Sequence, residues 1–241
     1  MIKIYNEDCF DTMTKMEEHS VDVILTSPFY NTNKKAGKNR TLLNSKAKSS
    51  DKYIRYDVHV DNMTNDEYND FTEKLFKEFD RVLKPNGTIL YNISYGSENT
   101  TGMFEAINRI ISSTDFTIAD VIVWKKKYAL PNSTSRNHLT RIWEFVFVFC
   151  RKEEYYTYYA NKRLSSERPN GQKMYENVFN YIEAKNNDGS CPYNKATYST
   201  ELCEKLLEIY APLGCTVYDP FMGTGTTAVA VIHAGGGGVA V

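Results

Sequence analysis

An α/β fold, with a mainly parallel sheet and helices on both faces, is what this 241-residue sequence predicts. Three observations predict it. Runs such as Val21–Thr26 (VDVILT) are continuously apolar and β-branched, as in strands buried on both faces. Segments with helical spacing alternate with such runs along the chain. Two short motifs stand just after strand-like runs, where open α/β sheets bind their ligands.

The elements follow in order. Lys3–Tyr5 begins a strand that breaks at Asn6-Glu7-Asp8, and residues 11–18 suit a short helix. Val21–Thr26 is a buried parallel strand ending at Ser27-Pro28. Residues 31–55 lack apolar periodicity and carry Lys34, Lys35, Lys38, Arg40, Lys46, Lys48, Lys52 and Arg55 against Asp51, which predicts a mobile basic loop. Thr64-Asn65-Asp66-Glu67 opens a helix, and Tyr68, Phe71, Leu75, Phe79, Val82 and Leu83 fall at helical spacing. Lys84-Pro85-Asn86-Gly87 is a turn, and Thr88–Ile93 the next strand. A helix over 103–111 and strands over 118–124 and 142–150 follow. Residues 151–195 are polar, Tyr-rich and irregular. A helix over 199–210, a strand over 216–218, a helix over 226–234 and a strand over 239–241 complete the chain. The domain reading has three parts: 1–150, 151–195, and 196–241, which rejoins the first in one sheet.

Composition narrows the function classes. Hydrophobic residues are 41 % and charged residues 24 %, ordinary for a globular chain. The net charge of -1 excludes a uniformly basic surface and leaves room for local basic patches. Tyr outnumbers Phe, 18 to 12, and Tyr suits both base stacking and amphipathic packing. The opening MIKIYNEDCF carries no signal-peptide pattern, and no run is apolar enough to span a membrane. Cys9, Cys150, Cys191, Cys203 and Cys215 show no zinc spacing, nor do the four His, so no metal site and reduced thiols are expected.

Chemistry concentrates in two segments. Asp219-Pro220-Phe221-Met222-Gly223-Thr224-Gly225-Thr226-Thr227 places a glycine-rich turn before a helix. Glycines let a ligand approach the backbone, and the helix start offers free N–H groups. The spacing is neither a dinucleotide fingerprint nor a Walker loop, so a compact nucleoside with a carboxylate fits better than a polyphosphate. Ser27-Pro28-Phe29-Tyr30 sets a hydroxyl, a stiffened backbone and an aromatic ring at a strand end. Those are acceptors and a stacking surface for a flipped-out amino-bearing base. Read alone, each segment also suits an ordinary turn.

Together the segments resemble the DNA amino-methyltransferases that use S-adenosylmethionine. The signatures of that family are a [D/N/S]-P-P-[Y/F/W] tetrapeptide and an F-x-G-x-G loop. The tetrapeptide precedes the loop here, as in the β-class permutation of the Rossmann-like methyltransferase fold. The Asn6-Glu7-Asp8-Cys9 opening and the Arg81–Gly87 turn add to the likeness. The resemblance implies that Ser27, Pro28, Phe29 and Tyr30 are catalytic, with Ser27 and the Pro28 carbonyl holding the amine and Tyr30 stacking on the base. It implies cofactor contacts from Asp8, Cys9, Pro220, Phe221, Gly223, Gly225, Thr226 and Thr227, while Asp219 orients the loop or meets the cofactor amino group. It also implies double-stranded DNA as partner, a possible cognate restriction endonuclease, and a bacterial or phage-encoded protein acting in the cytoplasm.

Ser27 favours the N4 amine of cytosine over the alternative, the N6 amine of adenine. Three departures carry expectations. Phe29 replaces the second Pro, predicting a less rigid turn. Lys195-Ala196-Thr197-Tyr198-Ser199 stands where the family often reads His-Pro-Ala. The acidic residue that usually follows the last strand is not reached by Val241, which keeps a catalytically inactive DNA-binding relic as the distant alternative. Methylases of protein glutamine or RNA usually place the cofactor loop first. For DNA, Lys34, Lys35, Lys38, Arg40, Lys46 and Lys48 of the basic loop and Arg136 and Arg141 are the phosphate candidates. Residues 151–195, with Tyr155, Tyr156, Tyr158 and Tyr159 among basic residues, are the target-recognition candidate.

Overall fold

The computed structural model describes residues 1–31, 63–96, 99–129, 131–133, 136–189, 197–235 and, as a strand, 237–240. The expected basic-loop contacts Lys34, Lys35, Lys38, Arg40, Lys46 and Lys48 lie outside the described residues.

Strands β1 (Ile2–Ile4), β2 (Val21–Thr26), β3 (Leu83–Ile93), β4 (Phe116–Lys126), β5 (Trp143–Arg151), β8 (Tyr181–Ala184), β9 (Thr216–Asp219) and β10 (Gly237–Ala240) form one sheet. Its order is β1-β10-β9-β2-β3-β5-β4-β8, and β5 alone among these strands runs antiparallel to its neighbours. A separate exposed hairpin pairs β6 (Leu164–Glu167) with β7 (Lys173–Tyr175).

Among the described residues five helices cover the sheet: α1 (Cys9–Lys15), α2 (Asn65–Val82), α3 (Gly102–Ser113), α4 (Thr200–Tyr210) and α5 (Thr226–His233). The two faces explain the unbroken apolar runs. Ile89, Tyr91 and Ile93 of β3 and Phe147 and Phe149 of β5 pack with α1, α2 and α3. The alternate residues Leu90, Val146 and Val148 pack with α4 and α5. Successive side chains go to opposite faces and both are covered, so nearly every position is apolar.

Starts and stops follow local chemistry. Thr64 caps α2 in a full capping box with Glu67, and Ser199 caps α4. The Lys84–Gly87 turn is present, but inside β3. Val21 pairs with Leu83 and Val23 with Thr88, so Lys84–Gly87 bulges out while pairing resumes beyond it. Asn86 takes a left-handed φ of 60° there.

The irregular reading of residues 151–195 is revised. Tyr181–Ala184 joins the main sheet beside β4, and residues 164–175 make the hairpin. The sequence hid these strands because they are short and mostly exposed, with few apolar residues to set a period. Among the described residues no helix is long and apolar enough to cross a membrane, and no group of His, Cys, Asp or Glu could hold a metal.

Candidate active site

Strands β2 and β9 are neighbours at the middle of the sheet, and both motifs start where these strands end. Thr26, the last residue of β2, donates from its hydroxyl to Asp219 Oδ1 at 2.7 Å. Asp219, the last residue of β9, is buried and accepts three more bonds. They come from the Phe221 N–H at 3.0 Å, the Thr227 hydroxyl at 2.5 Å and the Tyr198 hydroxyl at 3.0 Å. Burial holds the carboxyl above its ordinary range, and these donors oppose the shift. Four donors occupy both oxygens. Through the Phe221 N–H and the Thr26 hydroxyl, Asp219 ties the loop backbone to the end of β2. Tyr198 sits within the stretch that departs from His-Pro-Ala, and its buried hydroxyl ties that segment to the same carboxylate.

The glycine loop is open. Gly223 and Gly225 take φ of 56° and 81°, where a side chain is strained. A Cβ at Gly225 would meet nothing within 4 Å, and one at Gly223 only the Phe221 carbonyl at 3.8 Å. Glycine is thus required by backbone conformation, and the space above the loop stays free. No side chain caps α5 at Gly225, which leaves its first turn able to donate. Asp8 caps α1 through the Phe10 N–H at 2.8 Å and remains exposed. The cap uses Oδ1 of the carboxylate. The neighbouring Cys9 thiol is buried and pushed up to about 11, chiefly by burial and then by Asp8. It is an uncharged wall, not a nucleophile.

An aromatic cluster joins these segments. Phe71 of α2 lies 5.9 Å from Phe10, 5.2 Å from Phe29 and 6.2 Å from Phe221. Phe29 and Phe221 meet edge-on at 6.4 Å. Phe29, which stands in place of the second Pro, is packed against rings of α2. Its ring packs against Tyr68 at 5.4 Å, and its carbonyl accepts from the Tyr68 hydroxyl at 2.7 Å. The next residue but one, Asn31, takes φ of 48° and its carbonyl accepts from Asn99 at 2.9 Å. These ring contacts and carbonyl bonds brace the turn.

The catalytic turn carries a polar cluster on the opposite face. Alternation from Leu25, Leu90, Val146 and Trp124 puts Ser27, Asn92, Glu144 and Lys126 on the α4–α5 side at the carboxyl edge. Ser27 Oγ lies 3.0 Å from the Tyr30 hydroxyl and 3.2 Å from Asn92 Oδ1. The Tyr30 hydroxyl lies 2.9 Å from Asn92 Oδ1 and 3.1 Å from Glu144 Oε2. The amide nitrogen of Asn92 donates to the Phe145 carbonyl at 2.9 Å, which turns its oxygen toward both hydroxyls. Lys126 pairs with the other oxygen of Glu144. Burial, then the charge of Glu144, pushes the Tyr30 phenol well above its ordinary range, so it stays protonated.

Asn92 and Glu144 escaped the sequence reading. A signal existed: each is a lone polar residue inside an apolar run, TILYNI and IWEFVFVFC. Pro28 is buried at the start of the turn. Arg141 lies at the mouth. Its guanidinium sits 4.6 Å from the Tyr95 ring and donates to the Tyr95 carbonyl, just beyond β3. Arg136 is exposed in the same β4–β5 connection. Tyr155–Tyr159 lies elsewhere. It follows the end of antiparallel β5 and bonds to Asn86 through Tyr159 N and Thr157 Oγ1, at the amino edge of the parallel strands.

Comparison with known proteins gives the family and the fold. The family model described as "DNA methylase" matches residues 21–237. The Type II methyltransferase M.MthZI of Methanothermobacter thermautotrophicus is 23 % identical over 97 % of this chain and 70 % of its own length. M2.DpnII of Streptococcus pneumoniae, also a Type II methyltransferase, is 27 % identical over 94 % of this chain and 79 % of its own length. Among solved structures, the PvuII DNA methyltransferase, described as cytosine-N4-specific, superposes with a TM-score of 0.70 at 16 % identity. That match covers 99 % of this chain and 80 % of the other. The complex of M1.HpyAVI with S-adenosylmethionine gives 0.59 at 20 % identity, covering 100 % and 92 %. The structural likenesses establish the Rossmann-like fold, and the family match over most of the sequence establishes that the chain belongs to the N6/N4 DNA methylase family.

Proposed function

We propose that this DNA methylase transfers a methyl group from S-adenosylmethionine to the exocyclic N4 amine of a cytosine flipped out of double-stranded DNA. One observation carries the choice of amine. The first residue of the catalytic turn is Ser27, whose hydroxyl is held between Asn92 and Tyr30 at the end of β2.

The open, glycine-lined loop and the uncapped start of α5 suit a nucleoside with an amino-acid tail. Gly223, Gly225, Thr226 and Thr227 would hold the tail, with Pro220 and Phe221 as a wall and Asp8 and Cys9 beside the adenine. When bound, S-adenosylmethionine supplies an electrophilic methyl group. The protein's own part is positioning and electrostatics. Ser27 and the Pro28 carbonyl accept from the two amine protons, which favours a pyramidal nitrogen with its lone pair exposed. The Tyr30 ring is the stacking surface, and water is kept out by the aromatic cluster around Phe29 and Phe71.

Arg136, Arg141 and the basic-loop residues Lys34, Lys35, Lys38, Arg40, Lys46 and Lys48 are the phosphate contacts of this reading. Residues 151–195, which include the β6–β7 hairpin, are the target-reading candidate of this reading, and the 127–142 connection is a second one; Tyr155–Tyr159 lies at the opposite edge. The relatives named Type II methyltransferases support a partner restriction endonuclease of the same target sequence. That role places the protein beside DNA in the cytoplasm.

Transfer of radiolabelled methyl to unmethylated genomic DNA, followed by nucleoside mass spectrometry, tests the reading. N4-methylcytosine supports it. N6-methyladenine keeps the family and overturns the base. Label found in neither base overturns the proposed reaction.

A further inference from the structure

We infer that Glu144 is the terminal proton acceptor of the site, reached from the methylated amine through the hydroxyls of Ser27 and Tyr30. The inference rests on the amino-methylation reading above.

The reaction leaves a proton to dispose of. The amine nitrogen forms its bond to the methyl carbon while that carbon's bond to sulfur breaks onto sulfur. The nitrogen then carries a positive charge, discharged by loss of one proton. Asn92 is an amide and takes no proton at working pH. Among the described residues around Ser27, Glu144 is the carboxylate joined to it by hydroxyls. The path is short: Ser27 Oγ to Tyr30 Oη is 3.0 Å, and Tyr30 Oη to Glu144 Oε2 is 3.1 Å.

The proton count balances. The amine proton passes to Ser27 Oγ, the Ser27 proton to Tyr30 Oη, and the Tyr30 proton to Glu144 Oε2. Both hydroxyls end with one proton each, and the carboxylate becomes a carboxyl. Asn92 Oδ1 accepts from either hydroxyl and lets both rotate without losing a partner. Lys126 pairs with the second carboxylate oxygen, Oε1, and leaves Oε2 facing Tyr30. The Glu144 side chain is 15 % exposed, so the acceptor is screened from bulk water yet near enough to the edge to release its proton after turnover. Glu144 acts through Tyr30 and Ser27 and is therefore a positioning residue.

The test uses the full chain with DNA and S-adenosylmethionine under single-turnover conditions. Glu144→Gln keeps size and one hydrogen-bonding oxygen but removes the proton sink. The expected result is a loss of about a hundredfold in the transfer rate. Affinities for DNA and cofactor stay within about threefold, a range below 1 kcal/mol. The solvent deuterium effect of the wild type disappears. Tyr30→Phe gives a similar loss, and the double variant is no slower than either single one, because one wire is cut twice.

A readout free of turnover accompanies these. In the protein without ligands, the carbon-13 resonance of the Tyr30 Cζ titrates at lower pH in Glu144→Gln than in wild type. Glu144→Gln activity within threefold of wild type overturns the inference. So do losses of Glu144→Gln and Tyr30→Phe that multiply in the double variant, or DNA and cofactor affinities that fall with the rate. A wild type that methylates no DNA amine instead overturns the proposed function, and is told apart by appearing before any substitution.

Discussion

The Thr26 hydroxyl donates to Asp219 Oδ1 at 2.7 Å, across 193 residues of sequence. This bond fastens the end of the strand that leads into the catalytic turn to the end of the strand that leads into the glycine loop. Thr26→Val removes one of four donors and leaves a buried carboxylate lone pair without a partner. A loss of about 1–3 kcal/mol in urea unfolding is expected. Cofactor affinity and transfer rate fall together, since both loops lose the same anchor. Calorimetric binding alongside the unfolding curve checks this.

Phe71 touches the α1 start, the Ser27–Tyr30 turn and the glycine loop through Phe10, Phe29 and Phe221. Phe71→Ala is expected to cost about 3 kcal/mol of stability, at the low end for a core Phe because the ring is only partly buried. Phe71→Leu recovers most of that stability. Cofactor binding recovers less, because a flexible aliphatic side chain does not restore the ring–ring contacts. Thermal unfolding and binding titration on both variants separate the two effects.

Arg141 is held over Tyr95 at the site mouth, with part of its guanidinium facing solvent. Arg141→Ala is expected to weaken DNA binding similarly across sequences and to lower the slope of log K against log salt by about 1. Fluorescence anisotropy with target and scrambled duplexes over a salt series measures both. A change confined to the target duplex would assign Arg141 to base reading instead.

Glu201 of α4 accepts from the Lys185 N–H and pairs with Lys205 and Lys127, which brings its carboxyl down from 4.5 to about 2. A depressed carboxyl stabilises the fold while ionised. Its contribution is complete above about pH 4.5 and is lost as pH falls through about 2. Wild type is therefore more stable than Glu201→Gln at neutral pH, and the gap closes across that acidic window. Guanidinium unfolding of both proteins at several pH values checks the convergence.

The legibility of the chain tracked burial. Val21–Thr26 and Trp143–Arg151 could be read because both sheet faces are covered, which forces an apolar side chain at nearly every position. Tyr181–Ala184 could not, because as an edge strand it alternates exposed and buried residues over only four positions. The site divided in the same way. Ser27 and the glycine loop belong to contiguous motifs whose spacing carries their chemistry. Asn92, Glu144, Tyr198 and Phe71 are assembled by the sheet order and by α2 and α4 from distant segments. No short window contains them together. Asp219 was legible as a candidate site residue, but the four donors around it come from four separate positions and could not be read from the sequence.

The reversal of β5 has an evolutionary reading. A parallel neighbour of β3 would have reached the ligand edge at its end and left through a crossover helix. Because β5 runs the other way, it arrives there with its first residues, and β4 and β5 are joined by the single stretch 127–142. The described residues of that stretch join no strand, and it hangs from two long, tightly paired strands. On the proposed function it is a replaceable cassette beside the chemical site, through which a lineage can change the sequence it marks while keeping the reaction.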